Sequence, residues 1–194
     1  MRVFVLCTGR SGSASLVKAC SHIQNFTSGH ESHAKEILHR LEYRDEHIEV
    51  DNRLSWFLGG LYEKYGDTAF YVHLIRERES CVKSFNQRWN NHSSIIRAFA
   101  SGILKQNISK LTAENKLEIA NLYYDTVNMN IEFFLREKDQ KMTIYLENIN
   151  EDFLDFWKRI DAKGDLQSAL SIFDKPLNLG PPKKKSIITR IFNK

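Results

Sequence analysis

Cysteine is scarce and poorly placed for cross-linking. The chain has three, Cys7, Cys20 and Cys81, far apart and odd in number. That argues against a disulfide framework and for buried thiols of a reducing compartment, so a cytoplasmic location is expected. No apolar run reaches the roughly 20 residues that a membrane-spanning helix needs. The apolar amino terminus is not expected to be a secretory signal: it breaks at residues 8–15, and Arg10 stands where a signal's apolar region would continue. Repeats and low-complexity tracts are absent. Net charge is also missing from most of the chain. Lys183, Lys184, Lys185, Arg190 and Lys194 fall in residues 181–194, which contain no acid. Without these five of the 28 basic residues, 23 remain against 24 acids. The formal charge of +4 therefore belongs to the tail, which argues against a general nucleic-acid-binding surface.

What remains is an ordinary globular composition, 42% hydrophobic and 27% charged over 194 residues. We expect one domain over 1–180 and a basic tail over 181–194. The tail's Ile187, Ile188, Ile191 and Phe192 have basic neighbours, so it is a candidate for resting on an anionic membrane surface. Docking onto its own domain, or disorder, is the alternative.

Short β-branched and aromatic runs at 3–7, 48–51, 69–75 and 142–146 read as buried strands. Helices are expected from residue 16, over 31–42 with Ile37, Leu38 and Leu41 on one face, and over 54–65, 77–89 and 94–104. A longer one runs from a cap at Thr112 to about residue 136, and two more cover 150–160 and 166–173. Residues 24–30 read as a loop. Strands alternating with helices imply a three-layer α/β/α fold around a central parallel sheet. Ligands of such sheets sit at the carboxyl ends of the strands. Residues 8–15, 51–53, 76–78 and 147–148 therefore come first for function.

The first of these segments reads Thr8-Gly9-Arg10-Ser11-Gly12-Ser13-Ala14-Ser15, between a strand and a helix. Glycines let the backbone approach an anion, amides at the helix start point at it, and Arg10 adds a forked cation. The stretch reads as a cradle for phosphate or sulfate. It lacks the lysine of G-x-x-x-x-G-K-[ST] and does not make G-x-G-x-x-G. A tight turn without a ligand is the plainer alternative. The second motif follows the strand ending at Ile75. Arg76 sits at the strand end and Ser84 about two turns into the next helix. A guanidinium and a hydroxyl on the same edge suit a second phosphate; a surface arginine paired with Glu77 or Glu79 is the alternative.

Together the two motifs resemble the sulfotransferases that use 3′-phosphoadenosine-5′-phosphosulfate. In that family a G-R-S-G-T-T-S-L loop holds the 5′-phosphosulfate, where this chain reads Gly9-Arg-Ser-Gly-Ser-Ala-Ser-Leu16. An arginine at a later strand end, with a serine eight positions on, holds the 3′-phosphate; here they are Arg76 and Ser84. Residues 143–160 are weakly similar to the family's late strand and acidic turn. Ser13 and Ala14 replace two threonines. The late basic loop is not clearly present, and residues 178–185 are its candidate. The resemblance implies a sulfotransferase version of the P-loop fold, with Gly9, Arg10, Ser11, Gly12, Ser13, Ala14, Ser15, Arg76 and Ser84 on the nucleotide and no metal.

Within that scheme Arg10 neutralises charge as the bisphosphate leaves. Glu31 is the expected base for the acceptor hydroxyl, with His30 second; the alternative for Glu31 is a place at the positive start of the next helix. Asn52 and Arg53 are expected near the acceptor. Trp89 is a candidate to stack on adenine or a sugar, with a place in the core as its alternative. Residues 31–44 and 93–136 should build the acceptor pocket. A carbohydrate hydroxyl is the first guess for the acceptor. His30 and His33 make no zinc pattern with a visible third ligand. Two other readings stay open: a kinase-like phosphotransferase with Asp51 on magnesium, and a catalytically silent nucleotide-binding module.

Overall fold

Alternate residues of the first strand feed two separate cores. β1 (Arg2–Cys7) sends Val3, Val5 and Cys7 to one face and Phe4 and Leu6 to the other, as the two-residue repeat of a strand requires. β4 (Ala69–Ile75) sends Phe70, Val72 and Leu74 one way, Ala69 and Tyr71 the other. The computed structural model describes residues 1–174. The expected tail over 181–194 and the candidate loop at 178–185 lie outside the described residues.

β2 (Thr27–His30), β3 (His47–Val50) and β5 (Lys141–Tyr145) complete a five-stranded sheet in the order β2-β3-β1-β4-β5. Every pair is parallel. α1 (Ser13–Cys20), α6 (Ile149–Arg159) and α7 (Leu166–Ser171) pack on the face of Val3 and Val5. α2 (Leu58–Tyr65), α3 (Arg78–Asn86), α4 (Ile95–Ala98) and α5 (Ala113–Leu135) pack on the face of Phe4 and Leu6. This is the three-layer α/β/α architecture with a central parallel sheet that the alternating pattern implies. Thr112 caps α5 in a reciprocal capping box with Asn115, which satisfies donors that a helix start leaves open. His73, inside β4, is bonded to Asn128 at 2.9 Å, and burial holds its pKa below the usual imidazole value. Among the described residues no helix is long and apolar enough to cross a membrane.

Four expectations fail, each for a physical reason. Residues 27–30, expected within a loop, form edge strand β2. Thr-Ser-Gly-His carries no apolar side chain, so only its backbone pairing with β3 makes it a strand. Residues 31–42, expected as a helix, form turns. The proposed apolar face is broken up: Ile37 is 89% and Leu38 87% exposed, and only Leu41 packs on the core. Buried carboxylates override the apolar spacing here. Glu49 draws in the Ser32 amide (2.8 Å) and hydroxyl, and Asp51 draws in Arg40, because a buried charge needs donors. The expected helix over 54–65 is a 3₁₀ turn, Asn52–Trp56, followed by α2. The one over 94–104 is α4 followed by a π-helical turn, Phe99–Ile103.

If residues 31–42 carried a core-facing helix, a charge at its apolar face would unfold it. With both side chains in solvent, Ile37→Glu and Leu38→Glu should each change stability by no more than about 0.5 kcal/mol. Denaturant unfolding checks this, and a loss of several kcal/mol from either would contradict the turn.

Candidate active site

The carboxyl end of β1 runs into a loop that almost no other sequence could follow. Gly9, Arg10 and Gly12 all have positive φ, at 79°, 59° and 91°. A Cβ on Gly9 would lie 2.4 Å from Asn52 Nδ2, and one on Gly12 would lie 2.5 Å from Leu146 Cδ1. The loop is anchored from beneath. Tyr123 of α5 donates its hydroxyl to the Thr8 carbonyl at 2.8 Å, and Ser55 donates to the Cys7 carbonyl at 3.1 Å. Burial pushes the Cys7 and Cys81 thiols beside it up to about 11, so both stay protonated packing groups.

At the start of α1 the cap residue Gly12 offers no side-chain oxygen, and no acid lies in the first turn. Among the described residues the Ser13 and Ala14 amides donate to no protein acceptor. Ser11 is fully buried, and its hydroxyl has no hydrogen-bond partner of normal geometry; only the weakly polar Cys7 thiol is beside it. Unpaired amides, the positive end of a helix and an orphaned buried hydroxyl together fit an anion.

The second motif closes onto the first. Arg10 Nε donates to Ser84 Oγ at 3.0 Å, and an Arg76 guanidinium nitrogen donates to the Arg10 carbonyl at 3.1 Å. Arg76 is itself held from behind, where the Tyr124 hydroxyl donates to its carbonyl at 2.7 Å. The loop after β1 and the strand end of β4 thus share one place at the sheet edge. Arg76 pairs with neither Glu77 nor Glu79. Glu77 instead caps α3 through the Ser80 amide at 3.1 Å. Burial and then the nearby Arg88 guanidinium hold the Arg10 pKa below its usual value. Among the described residues none of Arg10, Arg76 and Arg88 forms an ion pair with a carboxylate.

A cleft of about 290 Å³ opens over this loop. Gly9, Arg10, Ser13 and Ala14 form its floor. His30, Glu31, Asn52 and Arg53 line it from the β2–β3 side, and Arg88, Asn91, Ser93 and Ser94 line it from the segment after α3. His30 Nε2 lies 3.2 Å from Ser13 Oγ, which links this wall to the loop. The Glu31 carboxylate is ion-paired with Arg53 at 2.5 Å. Arg53 is positioned in turn by Asp51, whose Oδ1 accepts the Arg53 amide at 2.7 Å while Oδ2 accepts from Arg40 at 2.5 Å. Desolvation raises the Asp51 carboxyl above its usual pKa despite these donors. For its neighbour Glu49 desolvation is also the largest influence, but donors from His47 and Ser32 outweigh it and keep the pKa low.

The structure brings most of the expected residues together. Gly9, Arg10, Ser13, Ala14, His30, Glu31, Asn52 and Arg53 face one cleft, and Arg76 and Ser84 adjoin it through Arg10. Trp89 does not line it. The indole is 5% exposed within the core of α3, α4 and α5, and its N–H donates to Asn86 at 3.1 Å, so its place is the core one. No helix starts at Glu31, so that alternative role is gone. His33 turns away from His30 to stack on Tyr43 at 4.5 Å. Residues 93–95 line the cleft, whereas 31–44 reach it through Glu31 rather than through a helix. Sequence reasoning missed Arg88, Asn91 and Arg40. For Arg88 a signal existed: it stands four residues after Ser84, on the same face of the helix expected over 77–89, although the observed helix ends at Asn86.

No family model matches the chain, and no curated protein matches it significantly. Among solved structures the chain is similar to mouse sulfotransferase SULT7A1 complexed with PAP, with a TM-score of 0.54 and 11% sequence identity. The superposition covers 89% of this chain and 62% of the mouse protein, so the chain spans less than two thirds of that relative's length. The likeness shows a shared fold: this chain has the α/β architecture of that mouse protein.

Proposed function

We propose that the protein is a sulfotransferase that moves a sulfuryl group from 3′-phosphoadenosine-5′-phosphosulfate to an acceptor hydroxyl, on a carbohydrate by first choice. One observation carries this reading: the Arg76–Arg10–Ser84 chain of hydrogen bonds sets two anion-binding motifs in contact, as one bisphosphorylated nucleotide requires. The fold shared with a PAP-bound sulfotransferase supports it.

In this reading the amides of the 9–15 loop and the orphaned Ser11 hydroxyl hold the 5′-phosphosulfate, with Ser13 and Ser15 adding hydroxyls. Arg76 and Ser84 hold the 3′-phosphate. Sulfuryl transfer is mostly positioning and charge stabilisation, as phosphoryl transfer is. The acceptor oxygen bonds to sulfur as the bond from sulfur to the bridging oxygen breaks. Its proton passes to the Glu31 carboxylate, and Arg10 takes up the negative charge left on the departing phosphate. Arg53 fixes the orientation of Glu31. His30, bonded to Ser13, is the second candidate base. Asn52 and Arg53 meet the acceptor.

A kinase-like phosphotransferase would need a free acid for magnesium after β3. Both Asp51 oxygens are already committed, to Arg40 and to the Arg53 amide, and the P-loop lysine is missing. A silent binding module would share the nucleotide site but transfer nothing.

Three outcomes are expected. Calorimetry should show 3′,5′-bisphosphoadenosine binding in preference to ATP with magnesium; the reverse order would refute the nucleotide assignment. Arg76→Ala should weaken that bisphosphate roughly 10- to 100-fold while sparing adenosine 5′-phosphosulfate, and equal losses on both would remove Arg76 from the 3′-phosphate. Glu31→Gln should cut transfer of labelled sulfate to a glycan panel by about 10²-fold or more with donor affinity unchanged. Full turnover in that variant would remove Glu31 as base.

A further inference from the structure

α5 turns a line of apolar side chains outward. Leu122, Met129 and Phe133 are 47%, 58% and 71% exposed, and helical periodicity sets them one above another. The other side of the helix carries Ala120, Tyr123, Val127 and Ile131 into the core. Apolar side chains scattered singly over a surface need no explanation, but a continuous line of them marks a contact. A flank of acids runs beside the line: Glu118, Asp125 and Glu132. Asp125 meets Arg78. Among the described residues Glu118 and Glu132 form no ion pair.

That negative flank selects what can cover the line. An antiparallel second copy would set acid flank against acid flank, and an anionic membrane would meet the acids with its own charge. The chain itself carries the complement. Residues 183–194 read Lys-Lys-Lys-Ser-Ile-Ile-Thr-Arg-Ile-Phe-Asn-Lys, with five cations and no acid. Their apolar members are Ile187, Ile188, Ile191 and Phe192.

The segment can reach. Phe173 rests on Phe153 of α6, ring centroids 5.2 Å apart, and α6 packs on the edge strand β5. On the other face of the sheet α5 ends beside the same strand, where Lys141 of β5 donates to the Leu135 carbonyl at 2.7 Å. Residues 175–186 are long enough for about 40 Å, more than the roughly 30 Å of three layers about 10 Å thick each.

We propose that residues 183–194 dock along the outer face of α5, with their apolar side chains on Leu122, Met129 and Phe133 and their cations beside Glu118 and Glu132. This inference stands independently of the sulfotransferase reading.

Met129 reports on it. The chain has three methionines, of which Met1 is 40%, Met129 58% and Met142 9% exposed. Carbon-13 methyl spectra of the full chain are recorded with and without an uncharged soluble nitroxide, which broadens the methyls it can reach. Met129→Leu assigns the signal. With the segment docked, Met129 should be shielded nearly as well as Met142. Ile188→Glu together with Phe192→Glu should remove that shielding, while Met142 stays shielded and shows the fold to be intact. Glu118→Lys together with Glu132→Lys should weaken the shielding as well. A Met129 signal broadened as strongly as that of Met1 in the unaltered chain would overturn the proposal by showing the face open. Shielding that survives the tail substitutions also defeats it, and the sedimentation mass then shows whether a second copy covers the face. Shielding untouched by the two lysines would refute the charge pairing.

Discussion

Cations held together without a counter-charge are the constraint to which the carboxyl edge of this sheet answers. Other arginines at or near this edge meet carboxylates: Arg40 meets Asp51, Arg53 meets Glu31 and Arg78 meets Asp125. Among the described residues Arg10 and Arg76 do not. Arg10 donates to a serine hydroxyl and Arg76 to a backbone carbonyl. Neutral acceptors satisfy the geometry of a guanidinium without cancelling its field. A carboxylate in either place would have satisfied the same donors and left nothing for a ligand to neutralise. The arrangement stores an unmet electrostatic demand, and the partial desolvation of Arg10 strengthens it.

That demand can be held only if the backbone beneath it is stiff. The loop after β1 takes three residues through positive φ, one of them the non-glycine Arg10, a conformation that persists when its surroundings over-determine it. Here three elements do so. α5 supplies the Tyr123 hydroxyl, the turn after β3 supplies Asn52 and Ser55, and the end of β5 supplies Leu146. Their sequence positions span most of the chain. The shape of the loop is therefore a property of the whole sheet edge, not of the glycine motif alone.

This division explains what the sequence made legible. Buried parallel strands announce themselves because both faces need apolar side chains; 3–7 and 69–75 could hardly be read otherwise. The glycine loop and the Arg76–Ser84 spacing were visible because each residue type answers a local need of the backbone or the ligand. The edge strand Thr27–His30 was not visible, because an edge is stabilised by backbone pairing and its side chains are free to be polar. The 31–42 segment misled for the converse reason. Its Ile37, Leu38 and Leu41 have helical spacing, but its course is set by Glu49 and Asp51, buried carboxylates that lie outside it in sequence. Only the fold reveals which donors a buried charge will recruit. Arg88 escaped because a single arginine just past the end of α3 does not stand out, even four residues after Ser84; only the fold brings it to the cleft.

The strand that sequence could not show is the one that sets the reach of the proposed base. β2 and β3 pair in register, with His30 level with Val50, and the ladder continues one step further as the Glu31 amide donates to the Val50 carbonyl at 3.1 Å. β3 in turn pairs Val50 with Val5 of β1. Glu31 is thereby fixed in height relative to the glycine loop through two strand pairings rather than through a flexible connection. A slip of one residue between β2 and β3 would turn its side chain to the opposite face of the sheet, away from Arg53 and the cleft. The buried Glu49 guards against such a slip, since it accepts both the Ser32 amide and the Ser32 hydroxyl just beyond Glu31. A group that must meet a reacting oxygen within a fraction of an ångström is better set by hydrogen-bonded register than by a loop. The polar, inconspicuous edge strand is thus as much a part of the site as the arginines it faces.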